Sequence, residues 1–256
     1  MKILFIGDIV GEPGRKKICQ NLPEIIIKEN IFFSIAQGEN LAGGIGLTEN
    51  AAKELFNAGI NCITTGNHVW RHKEIYKYLD EETRLLRPAN YPEGVPGRGY
   101  YIFEKQQIKI GVINLQGQVF MKPIVDPFST GRKIAEVMQQ KTKNIFIDFH
   151  AEATSEKRAL GIYLNEYATV LVGTHTHVPT ADEQIINGKT AYITDVGMVG
   201  STDSVIGVEK EPAIRNFLSS IPQKFTAAKE NVVANCVIIE FNENSGKASS
   251  IIRFNF

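Results

Sequence analysis

An α/β fold with two sheets packed face to face and helices outside is what this sequence predicts, on three observations. Short apolar runs alternate with segments of helical spacing from the first residue onward. Hairpin signals collect in the second half, the clearest being Ile186-Asn187-Gly188-Lys189. Several apolar runs end in Asp, Glu, Asn or His, as strands do when they deliver side chains to one edge of a sheet. Parallel strands first and hairpins later argue against a simple doubly wound sheet. The length, 256 residues with 43% hydrophobic, suits one domain over 1–256 with one well-packed core.

The elements follow in order. Residues 2–8 form a buried strand. Ile18, Leu22, Ile25 and Ile26 give 14–29 helical spacing, with Pro23 as a kink or break. A second strand covers 32–38. Thr48 is placed to cap a helix over 49–58, and Gly59 to close it. A third strand covers 60–65 and a short helix 72–80. Residues 87–99 are rich in Pro and Gly but keep apolar anchors, which predicts an ordered loop or lid. Strands over 100–104 and 107–115 are expected to turn at Lys105-Gln106. Residues 116–128 read as irregular, with Phe120 and Met121 exposed, and a helix follows at 130–140. Strands are predicted at 144–149, 169–174, 183–187, 189–195, 232–241 and 248–254, with a helix at 211–219.

The formal net charge is +0, so no basic surplus points to a nucleic-acid duplex or an anionic membrane as partner. Cys19, Cys62 and Cys236 are far apart and form no CxxC pair, which fits reduced thiols. The first residues turn acidic too soon for a signal peptide, and no apolar run reaches the roughly 20 residues of a membrane span. A soluble cytoplasmic protein is expected.

The chemistry gathers at strand ends. Phe5-Ile6-Gly7-Asp8 ends in a carboxylate that reads equally as a ligand or as the cap of the next helix. Glu39-Asn40 ends another strand before Gly43-Gly44-Ile45-Gly46, a loop whose backbone can approach a ligand closely or form a plain Asx turn. In Gly66-Asn67-His68, Asn67 offers a neutral oxygen and His68 a proton. His150 alone would pass for a core histidine, but Gly173-Thr174-His175-Thr176-His177 can aim two imidazoles at one point. Carboxylate, amide and imidazole without clustered thiolates suit two metal ions used for hydrolysis: Mn, Fe, Zn or Mg. His72 lies in a charged helix start, Trp70 reads as a packing residue near the site mouth ahead of the alternative of a base-stacking platform, and Asp126 and Asp203 are turn residues or caps.

In this order the set resembles the calcineurin-like metallophosphoesterases, whose pattern is D-x-H, G-D, G-N-H-[ED], H and G-H-x-H. Val10 stands where the usual His would be, and Glu39 replaces the usual bridging Asp beside an added Asn40. With Arg87-Pro88-Ala89-Asn90-Tyr91-Pro92 and Thr194-Asp195-Val196-Gly197-Met198, these departures resemble the YmdB-like bacterial phosphodiesterases along nearly the whole chain. The resemblance implies a four-layer α/β/β/α sandwich and a dimetal centre, often of iron. It implies one metal on Asp8, Glu39, Asn40 and His177, and the other on Asn67, His150 and His175, with Glu39 bridging. It implies hydrolysis of 2′,3′-cyclic nucleotides at the 2′-ester to 3′-nucleotides, by in-line attack of a metal-bridging hydroxide.

His68 is then the expected general acid, and a small cyclic nucleotide the expected partner. Gly-rich 43–46 and 197–200, with the 88–99 loop, are expected to line the pocket. A phosphomonoesterase or nucleotidase is the alternative within the class, and a nucleotide-sensing regulator the alternative outside it. A homo-oligomer is expected from Phe120, Met121 and Pro123, which can form an exposed apolar patch.

Overall fold

The structure is a computed structural model that describes residues 1–256. In chain order the elements are β1 (Lys2–Ile6), β2 (Asp8–Ile9), α1 (Gly11–Lys28), β3 (Phe33–Gln37), α2 (Glu49–Asn57), β4 (Cys62–Thr64), α3 (Ile75–Glu81) and β5 (Leu85–Leu86). Then come β6 (Tyr100–Lys105), β7 (Ile108–Gln116), α4 (Pro127–Gln139), β8 (Ile145–His150), α5 (Thr154–Tyr163), β9 (Val170–Thr174), β10 (Gln184–Ile186) and β11 (Thr190–Ile193). The last are β12 (Met198–Ser201), α6 (Lys210–Ser219), β13 (Val232–Asn242) and β14 (Lys247–Asn255).

Eight strands form one sheet in the order β2-β12-β13-β1-β3-β4-β5, with β14 beside β13. Six form the other, β10-β11-β9-β8-β7-β6. Strands β1, β3, β4 and β5 run parallel, and so do β7, β8, β9 and β11. The hairpins do collect late, at β10–β11 and β13–β14, with β12–β13 also antiparallel, but the second sheet adds the parallel set β7, β8, β9 and β11, which the sequence pattern did not show. Alternation sorts each strand's side chains. Ile3 and Phe5 of β1 meet Val112, Phe146, Val170 and Ile193 in a core between the sheets. Leu4 and Ile6 pack with Ile18, Leu22 and Leu55 of α1 and α2. Ile147, Phe149 and Leu171 pack with Ala135, Met138 and Leu160 of α4 and α5.

The predicted starts and stops hold with local shifts. Thr48 caps α2 by accepting from Ala51 N at 3.4 Å. Asp126 caps α4 through Phe128 N and Ser129 N, so that helix begins at Pro127, three residues early. α1 begins at Gly11 and runs through Pro23 without a break. Pro23 faces solvent while Leu22 and Ile25 hold the buried stripe, so the missing N–H is lost on the wet side. Asn187 and Gly188 both have positive φ, the type I′ hairpin read from sequence. The β6–β7 turn uses Gln106 and Gln107 at positive φ, one residue beyond the expected place. Met121 packs against the helix-side core and is not exposed, whereas Phe120 is 90% exposed. No helix is long and apolar enough to cross a membrane.

Candidate metal centre

The C-terminal ends of β1, β3, β4, β8 and β9 converge, and all eight candidate residues meet there. His150 Nε2 lies 3.1 Å from Glu39 Oε1, 3.2 Å from Asn67 Oδ1 and 3.0 Å from His175 Nδ1. Around Asp8, His177 Nε2 lies 3.9 Å from Oδ1, and His175 N donates to Oδ2 at 3.1 Å. Asn40 joins the two groups, with Nδ2 3.2 Å from His177 Nε2 and Oδ1 3.0 Å from His68 Nδ1. Asp8 is not a helix cap: α1 has no side-chain cap, and the carboxylate is fully buried. His72 stays outside, bonded to Ile45 O, and Trp70 packs edge-on against Tyr76 and Tyr91.

The backbone has been shaped to permit this crowding. A Cβ on Gly66 would overlap the His150 ring and the Glu39 carboxylate, so this position needs glycine. His175 and His177 both sit at positive φ, +104° and +65°. Side chains seldom adopt that region, at about 1–3 kcal/mol each, and the surroundings must enforce it. Thr176 between them does so through its N and Oγ1, which donate to Asp195 Oδ2 at 3.1 and 2.8 Å. Lys157 of α5, fully buried, neutralises that carboxylate at 2.7 Å.

Each imidazole is also held from behind. His177 Nδ1 donates to Ile206 O at 2.7 Å, which turns the Nε2 lone pair toward Asn40 and the cluster. His150 Nδ1 lies 3.0 Å from Thr174 Oγ1, and that hydroxyl donates to Asp148 Oδ1 at 2.8 Å. His175 Nε2 faces Glu152 Oε2 at 3.0 Å, an exposed carboxylate at the site rim. Glu152, Asp148, Thr174, Lys157 and the Ile206 carbonyl were not read from sequence as site residues. Asp148 and Glu152 share the spacing of His150, two residues either side, and that signal was there to be used.

The electrostatics fit cations. Asp8 Oδ1 is buried with no hydrogen-bond partner, an uncompensated acceptor aimed into the cluster. Burial raises the Asp8 carboxyl, partly opposed by His177 and His150. Burial alone would lower His150, but Glu39 and Asp8 lift it to about 9. Burial and then the His150 charge push His175 down to about 3, since ring nitrogens 3.0 Å apart cannot both carry protons. Glu39 is buried yet sits well below the usual carboxylate range, because His150 and His68 outweigh burial. Without metal, His150 therefore favours its protonated form beside the buried Glu39 and Asp8 carboxyls. Glu39, His150 and His175 present ligand atoms within 4.8 Å of one another, a hard O and N donor set.

The cluster opens into a cavity of about 420 Å3, lined by Glu39, Asn40, His68, His175, His177 and Glu152 at one end. Gly44 and Ile45 belong to its wall, as expected of the 43–46 loop. The 88–99 loop and residues 197–200 do not line it. Asn90 ties the former loop to Gln116 O and Val125 O, and residues 198–200 of the latter stretch lie in β12. The rest of the wall is Val10, Thr176 and residues between 205 and 225, a segment that carries no motif.

The comparisons agree along the whole length. The YmdB-like protein family model matches residues 4–254. The chain is 45% identical, over 99% of its length and 96% of the relative's, to a Bacillus subtilis (strain 168) protein named 2′,3′-cyclic-nucleotide 2′-phosphodiesterase. A solved Thermus thermophilus structure, titled a hypothetical protein, superposes with TM-score 0.94 at 38% identity, covering 100% of this chain and 99% of that one. A Mycoplasma pneumoniae structure titled a novel phosphatase gives 0.94 at 34% identity, with 100% and 93% covered. The chain belongs to the YmdB-like family.

Proposed function

We propose that this protein is a metal-dependent phosphodiesterase that hydrolyses 2′,3′-cyclic nucleotides at the 2′-ester to 3′-nucleotides. The name of the Bacillus subtilis relative supports that substrate. The observation that carries the choice of a diester is the cavity lining: it holds His68 and the metal-ligand set but no Lys or Arg, and it includes Glu39 and Glu152. A cyclic diester carries one negative charge, which two cations suffice to bind. A monoester dianion would meet Glu152 without a compensating cationic side chain. The three cores, one between the sheets and one beneath each set of helices, support the four-layer α/β/β/α arrangement of calcineurin-like metallophosphoesterases.

Asp8, Glu39, Asn40 and His177 would hold one cation, and Asn67, His150 and His175 the other, with Glu39 shared. The resemblance to the YmdB-like phosphodiesterases points to iron, and manganese, magnesium or zinc suit the same donors. The bound pair supplies Lewis-acid charge that lowers the pKa of a water and offsets the phosphoryl oxygens. The chain's residues do the rest. Glu39 also accepts from the His68 backbone N at 3.0 Å, which locks the Asn67-His68 loop to the cluster. Asn40 Oδ1 lies 3.0 Å from His68 Nδ1 and holds the ring on the cavity wall, from where it would give a proton to the departing 2′-oxygen. Such help is worth roughly 10²–10⁴-fold.

The test compares kcat/KM of the metallated enzyme for 2′,3′-cyclic AMP with that for 3′-AMP and 2′-AMP. The diester is expected to be preferred by at least about tenfold. Faster release of phosphate from the monoesters would make the protein a nucleotidase and sink this assignment.

A further inference from the structure

The metal-ligand end of the cavity accounts for only part of its wall. Val205, Ile206, Val208, Ala213, Phe217 and Phe225 supply an apolar end continuous with it. Helix α6 buries a single residue, Ala213, and Phe217 is 80% exposed. The fold therefore gains nothing from this ring, which stands at the mouth of a cavity whose floor is the metal cluster. The volume, about 420 Å3, lies within the roughly 300–1,000 Å3 of small-molecule sites. Segment and cluster are coupled through the His177 Nδ1–Ile206 O bond. They are also coupled through Gly207, where a side chain would press on Val10, the position that departs from the superfamily's histidine.

We propose that residues 205–225 form the nucleobase subsite, with Phe217 and Phe225 as stacking faces for the base of a nucleotide whose phosphate sits at the metal cluster. This inference rests on the phosphodiesterase function proposed above. A planar heterocycle is the occupant that joins an anionic group at one end to an apolar, aromatic wall at the other. Aromatic stacking recognises the face of the base and accepts any of the four, so the subsite adds affinity more than base selectivity.

The experiment uses full-length metallated protein and two cyclic diesters, 2′,3′-cyclic AMP and glycerol 1,2-cyclic phosphate, which has no base. Phe217→Ala and Phe225→Ala are expected to lower the ratio of kcat/KM for the nucleotide over the glycerol ester by about 5- to 100-fold, mainly through KM. Phe217→Tyr is expected to restore it. Phe217→Trp is expected to be quenched by 3′-AMP and not by glycerol 1-phosphate. A ratio unmoved in the alanine variants, with wild type active on both esters, overturns the subsite and leaves the phosphodiesterase function standing. An unmoved ratio accompanied by a lower oligomeric mass gives the face to a second copy of the chain. Hydrolysis of neither ester by wild type removes both the subsite and the function it serves.

Discussion

Asn67 and His68 are neighbours with separate tasks: one presents its oxygen to His150, the other hangs from Asn40 with its ring on the cavity wall. His68→Ala is therefore expected to keep its metal and its fold while turnover falls roughly 10²–10⁴-fold. Metal analysis alongside the assay checks this, and loss of metal in proportion to activity would make His68 a ligand. Asn40→Ala should lower metal occupancy and also loosen His68, which unchanged metal content would contradict. These residues were legible in the sequence because strand ends next to Gly leave side chains little choice of direction. Thr174, Asp148 and the Ile206 carbonyl were not, because they act by holding an imidazole from behind. A hydroxyl, an acid inside an apolar strand and a main-chain oxygen carry no pattern of their own.

At the scale of elements, α5 is the instructive failure of sequence pattern. Its buried face is Glu156, Lys157, Leu160 and Gly161, so no apolar stripe marks it as a helix. Glu156 is taken up by Gln118 N and Val119 N, and Lys157 by Asp195 under the His175–His177 turn. β12 escaped for a related reason: Met198-Val199-Gly200-Ser201 is too short and too rich in Gly to read as a strand. It is recruited by pairing with β13 and with Asp8-Ile9. Lys157→Met leaves Asp195 buried without its cation and is expected to cost about 3 kcal/mol in denaturant unfolding. Metal occupancy should fall with it, since Thr176 loses its fixed anchor. A variant as stable as wild type and fully metallated would show that the turn holds itself.

For the molecule as a whole, the cluster makes stability depend on what neutralises it. In metal-free protein His150 sits at about 9 in the folded state against 6.5 for a free histidine. A raised value means the proton favours the folded chain. That stabilisation is whole below about pH 6.5 and is lost as the pH climbs to about 9. Chelator-treated protein should accordingly melt at falling temperatures across this window. Metal competes with the same proton, so metal affinity should rise over the same range. A flat melting profile for metal-free protein would contradict a protonated His150.

The two-sheet class was legible because buried strands announce themselves. The parallel pairing of the second sheet was not, because crossovers through weakly patterned helices look like loops. Self-association also belongs to this scale. Phe120, at positive φ with Val119 and Val125 exposed nearby, is the proposed contact between copies, and Phe120→Asp is expected to lower the mass found by sedimentation. An unchanged mass would move that contact elsewhere.

The cluster is proposed to cleave the 2′-ester of a cyclic nucleotide. The most direct measurement follows 2′,3′-cyclic AMP with wild type and His68→Ala of equal measured metal content, and separates the products by chromatography. The proposed function predicts 3′-AMP from wild type and the same product from the variant roughly 10²–10⁴-fold more slowly. Formation of 2′-AMP, or equal turnover by the two proteins, would contradict it.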